Sequence, residues 1–248
     1  MRKHLLNIDQ NPKTIKGQKY GFMTGVLYLA PANLSGRNVC AMAEAAQCIN
    51  GCLNSAGRGA FSNVQLARIN KTNYYFDDRA GFMANLYADI NLLIKKASKA
   101  GLIPLVRLNG TSDIKWENVP LTVNGVTYTN IMAAFPGVQF YDYTKISNRD
   151  NLPANYDLTF SYSGVPQYQK YVNQAISKGM RIAAVFRTRA AIPKQFLGLD
   201  CVDGDDSDIR HIDPRGVIVA LYAKGKARKD FSGFVVDNAR PVIQLMAA

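Results

Sequence analysis

Three of the four cysteines crowd into thirteen residues, spaced Cys40-x7-Cys48-x3-Cys52. Thiolates are soft ligands that suit zinc or an iron–sulfur cluster, and a looping chain can bring three of them to one centre. Three protein ligands leave one coordination position open. On zinc that is a catalytic water site; on a [4Fe–4S] cluster it is a free iron. The competing reading is three unrelated cysteines, each a small buried hydrophobe. Cys201 would complete a closed structural site, but Asp200, Asp203, Asp205 and Asp206 surround it in what reads as an exposed acidic loop. It is read as a spare thiol.

Other polar groups gather behind apolar runs. Asn109, Thr111, Ser112 and Asp113 leave one such run together, and Gly110 lets the backbone approach a ligand closely. Asp113 suits an amine or a ribose, or caps a helix. Tyr141 and Tyr143 share one face of a strand and line a cavity in this reading, with Lys145 near its mouth. Ser161, Tyr162 and Ser163 follow the next run; Arg187 and Arg189, with Thr188 between them, follow another. These arginines suit a phosphate or carboxylate, or form a solvated edge. Arg58 lies between two glycines, and His211 reads as structural. The tract Lys224-Gly225-Lys226-Ala227-Arg228-Lys229 is a solvated loop or a polyanion contact. There is no nucleophile elbow, phosphate-cradling loop, His-Glu-x-x-His or complete dinucleotide glycine motif.

The elements that must position these groups alternate. Residues 20–29 read as a buried strand, and 61–70 as helical. Residues 77–99 form the clearest helix, capped by Asp77 or Asp78 and ended by Gly101. Strands follow at 102–108, 138–143, 158–162, 180–186 and 217–222, with helices at 130–135 and 167–178. Helices between strands argue for a parallel sheet or barrel. Its carboxyl-terminal edge would collect the polar groups and the cysteine segment. Residues 1–19 read as a polar, irregular arm, and no linker divides the 248 residues, so one α/β domain is expected.

Hydrophobic residues make up 48% of the chain, enough for a sizeable core. The net charge of +12 favours nucleic acid or a nucleotide as partner, although the basic residues are spread along the chain. No signal-peptide pattern and no apolar run of about 18 residues is present, so no membrane association is expected. The expected location is the cytoplasm, with the thiols reduced or ligating.

The segments Leu29–Cys40, Cys48 with Cys52–Gly59, Asn63–Thr72, and Asp203-Gly204-Asp205 through Asp208-Ile209-Arg210 to Asp213-Pro214 resemble the bacteriophage gene product eighty-eight family. The resemblance spans residues 25–230. It implies a phage origin, hence the host cytoplasm, rather than a reaction. More distantly, the layout is similar to radical S-adenosylmethionine enzymes, which carry three cysteines after the first strand of a partial (β/α)6 barrel of the TIM-barrel-like type. Their spacing is three then two residues; here it is seven then three. This second resemblance implies a [4Fe–4S] cluster on Cys40, Cys48 and Cys52. S-adenosylmethionine would sit on its open iron, contacted by Asn109, Ser112 and Asp113. Tyr141, Tyr143, Lys145, Arg187 and Arg189 are left to the substrate. The alternative expectation is a basic, non-enzymatic phage protein whose cysteines hold a structural zinc or cluster and which binds nucleic acid or a host protein.

Overall fold

The computed structural model describes residues 4–8 and 12–237. Its strands are β1 (Leu6–Ile8), β2 (Phe22–Leu27), β3 (Ile103–Arg107), β4 (Leu121–Val123), β5 (Val126–Tyr128), β6 (Gln139–Thr144), β7 (Tyr156–Ser161), β8 (Arg181–Phe186), β9 (Gln195–Phe196), β10 (Leu199–Asp203), β11 (Ile218–Tyr222) and β12 (Val235–Val236). The helices are α1 (Pro12–Gly17), α2 (Ala32–Ser35), α3 (Ser62–Asp77), α4 (Arg79–Lys99), α5 (Ile131–Ala134) and α6 (Gln169–Ser177).

Ten of the strands form one mixed sheet in the order β1-β2-β3-β6-β7-β8-β11-β10-β9, with β12 also paired to β8. From β2 to β10 every neighbouring pair is parallel. The expected partial (β/α)6 barrel is not what forms. The progression β2-β3-β6-β7-β8-β11 follows chain order, as in a barrel, but both of its edges are occupied. β1 pairs antiparallel on the outer side of β2, and β10 takes the outer side of β11. The sheet therefore stays open.

Within the expected irregular arm 1–19, the described residues hold β1 and α1. Leu5 and Leu6 are buried, and their amides donate to the Asp89 carboxylate in α4 at 2.6 and 3.1 Å. The polar composition concealed two apolar anchors. α4 starts where Asp78 accepts from the Gly81 amide at 2.8 Å, and it buries Phe82, Leu86, Ile90 and Leu93 against the sheet. β4 and β5 form a separate hairpin across Asn124-Gly125, both at positive φ, as a tight two-residue turn requires.

The two faces of the sheet differ. Met23, Val106, Phe140 and Leu158 point to the face that α4 covers, and Phe160, Ile182 and Ile218 pack with α6. The opposite face carries Thr24, Arg107, Tyr141, Thr159 and Arg181, all buried, and the half-buried Tyr143. The segment 204–216 lies over this polar face, with Ile209 packed on Leu105, Tyr141 and Phe22.

Candidate functional site

The long connection after β2 carries all three clustered cysteines and lies across the carboxyl ends of the parallel strands. In open α/β sheets this is where ligands collect. The loop is tied down strand by strand. The Gly110 amide donates to the Leu27 carbonyl at 3.0 Å, and Thr111 Oγ1 to the Leu29 carbonyl at 2.6 Å. The Asp113 amide donates to the Val39 carbonyl at 2.8 Å, and Ser163 Oγ to the Ala46 carbonyl at 2.8 Å. Ser232 Oγ donates to the Gln47 carbonyl at 3.1 Å. Gly110 is required: a Cβ there would stand 2.7 Å from both the Leu27 carbonyl oxygen and the Tyr28 ring. On the far side, Arg68 Nη1 donates to Asn54 Oδ1 at 2.6 Å while its guanidinium lies over the Tyr28 ring.

This scaffold brings Cys40, Cys48 and Cys52 into one electrostatic neighbourhood. Burial raises the proton affinity of each thiol. The neighbouring cysteines push Cys40 and Cys52 up further, and the Lys145 ammonium pulls all three down. Arg68 lowers Cys52 as well. Asp113 and Asp230 are the nearby carboxylates. Lys145 is buried immediately after β6. Its ammonium donates to Ser161 O (3.1 Å), Ser161 Oγ (3.0 Å) and Tyr162 O (3.2 Å), and sits 4.7 Å from the Phe234 ring centroid. Phe234 arrives with β12, which runs parallel to β8 at Val185 and Phe186, beyond the stretch that β7 pairs.

The remaining expected residues divide. Asn109 Oδ1 accepts from Ser112 Oγ (2.8 Å), the Ile114 amide (3.0 Å) and Trp116 Nε1 (3.0 Å), so Asn109 and Ser112 organise their own turn. Asp113 faces the site: it accepts from the Lys145 amide at 2.6 Å and meets Arg149 at 3.4 Å, and burial raises its pKa. Tyr141 and Tyr143 share the polar sheet face, and Lys145 follows just beyond the end of β6. Arg187 is committed to carbonyls, donating to Arg228 O (3.0 Å) and Asp230 O (2.6 Å). Arg189 is exposed and pairs with Asp203 at 2.6 Å. Cys201 lies on β10, four strands from β6, and only Asp200 adds to the effect of burial on its thiol. Arg68, Asp230, Thr159, Arg181 and the buried Arg210 belong to these surroundings without having stood out in the sequence. Arg107 and Arg181, charged residues inside otherwise apolar runs, were the available signal.

The donor types are soft, three thiols from one loop, but burial outweighs the pull of Lys145 and Arg68 and holds all three in the protonated form. Among the described residues, no group of three Cys, His, Asp or Glu side chains is placed to hold a metal ion. The family model described as Gene product 88 matches residues 4–238. The chain belongs to the Gene product 88 family. That is the phage family which the cysteine segment and the Asp208-Ile209-Arg210 segment resemble. The likeness to radical S-adenosylmethionine enzymes finds no support, and no curated protein or solved structure matches the chain. Among the described residues, no helix is long and apolar enough to cross a membrane.

Proposed function

We propose that Cys40, Cys48 and Cys52 are the protein ligands of a metal centre, a [4Fe–4S] cluster, in a phage enzyme acting on a nucleotide or nucleic acid. What supports the reading is that three thiols from one loop share the electrostatic influence of the buried Lys145 ammonium at the carboxyl edge of a parallel sheet. Such a cluster would supply one-electron chemistry and a binding place for S-adenosylmethionine. The chain's own contributions are positional. Lys145 and Arg68 offset the thiolate charge, Asp113 fixes the backbone of Lys145, and Phe234 and Tyr168 exclude water around the ammonium. The exposed Lys226, Arg228 and Lys229, whose turn meets the cysteine loop at Gly225 and Ala56, suit a polyanionic substrate.

Anaerobic purification with iron, sulfide and zinc analysis tests the reading. The expected result is a brown protein with about four irons per chain, whose visible spectrum changes on adding S-adenosylmethionine. A colourless protein with stoichiometric zinc would overturn the cluster in favour of a structural metal in a nucleic-acid-binding protein. A protein with neither metal would overturn the metal centre altogether.

A further inference from the structure

The polar sheet face under residues 204–216 is costly to bury. Parallel sheets normally cover apolar side chains on both faces, and a buried guanidinium is tolerated only when it is paired. Here Tyr143, Thr159 and Arg181 stand side by side in register across β6, β7 and β8. The covering segment adds Arg210, which is fully buried, and Asp208, which meets Arg107 at 2.6 Å. Arg181 binds the Arg210 and Asp213 carbonyls and the Asp157 carboxylate, and Arg210 meets Asp213 at 3.1 Å.

Those pairings leave donors over. Thr159 Oγ1, His211 Nδ1 and the Nε atoms of Arg107, Arg181 and Arg210 are buried without a hydrogen-bond partner, while Arg210 Nη1 and Asp213 Oδ2, also without one, face each other as an ion pair. All three Nε groups can only donate, so what would satisfy the set is an acceptor with several oxygens. We propose that this face is a binding site for a small molecule bearing an oxyanion, a carboxylate or a phosphate. Thr159, Arg181 and Arg210 would grip it, and residues 204–213 would form its cover. The cover is pinned from outside by Tyr20 on Asp206 and Lys224 on Asp205. Lys145 and Ser161 close the face at the cysteine end. The site goes beyond the metal reading and stands whether or not the cysteines hold a metal.

The two histidines of the chain report on it. The His211 ring lies against Phe22 and Tyr141 at this face, whereas His4 sits by Asp89 behind the sheet edge. Imidazole resonances would be followed by NMR at fixed pH and ionic strength, with inorganic phosphate and acetate titrated separately. The expected result is a saturable shift of His211 alone, and the anion that produces it names the group. Thr159→Val should weaken that binding about tenfold, while Thr159→Ser and Lys99→Gln, at an exposed position on α4 away from this face, retain it. No selective movement of His211 with either anion, joint movement of both histidines, or unchanged binding in Thr159→Val would overturn the proposal. Should the valine variant fail to fold, Thr159→Ala takes its place with the same expected loss.

Discussion

Replacing Asp142 by asparagine should flatten the pH dependence of stability. Asp142 is fully buried at the end of β6, where its carboxylate accepts from the Asn109 amide (2.7 Å), the Leu108 amide (3.3 Å) and the Tyr156 hydroxyl (2.9 Å). Burial raises its pKa from 3.8 to about 7, against the opposing pull of Arg107 and these donors. The folded state thus holds the proton more tightly than the unfolded chain. Its contribution is most favourable below the unfolded value, declines as pH rises through the interval, and is fully lost above about 7. At about 1.4 kcal/mol per unit, the shift corresponds to a loss of about 4 kcal/mol, of which about 2–3 kcal/mol falls between pH 5 and pH 8. Asparagine keeps the volume, keeps an acceptor for the Asn109 amide and offers Tyr156 a donor. Urea unfolding of both proteins at pH 5 and pH 8 isolates the effect, because the pH response of every other group cancels in the double difference. The wild-type protein should lose about 2 kcal/mol more than Asp142→Asn across that interval. Equal losses in the two proteins would refute the reasoning.

Cys40→Ser, Cys48→Ser or Cys52→Ser should each lower bound metal sharply, and Cys201→Ser should leave it unchanged; metal analysis of the four purified variants decides this. Gly110→Ala, whose methyl would press on the Leu27 carbonyl and the Tyr28 ring, should lower stability by about 1–3 kcal/mol, measured by chemical denaturation. Arg149 is buried between Glu117 (2.5 Å) and Asp113 (3.4 Å). Arg149→Met should therefore cost about 3–5 kcal/mol by stranding carboxylates, and a melting temperature within a degree or two of wild type would count against it.

The strands and helices around the core were legible because their signals are local. Asp78 caps α4, Gly101 ends it at positive φ, and the apolar runs at 103–107, 139–144 and 181–186 become strands. What the sequence concealed depends on partners far along the chain. Whether β2 and β11 meet as a barrel is decided by β1 and β10, and nothing in either segment states where it docks. Leu5 and Leu6 read as part of a polar arm because the Asp89 carboxylate that fixes them lies more than eighty residues away. The cysteines stood out by their spacing, and Tyr141 and Tyr143 by alternation along one strand. The cation over the thiols, the phenylalanine above it and the buried arginine face come from elements that meet only in three dimensions. Asn109 illustrates the opposite error: a polar residue behind a strand invites a ligand, yet its carbonyl oxygen is taken up by its own turn.

The placement of β12 bears on how the protein is made. It is the last described strand to leave the ribosome, and its partner on β8 lies about fifty residues earlier. Until it arrives, the parting between β7 and β8 lacks Phe234, Asp230 is missing from the thiol neighbourhood, and the Ser232 tie to the cysteine loop cannot form. A nascent chain can therefore assemble most of its sheet while the thiols remain unsheltered, and the site closes late. Such long-range pairing is slow to form. During synthesis the cysteines are thus more open to a metal donor or to oxidation than in the folded protein, where they end half-buried.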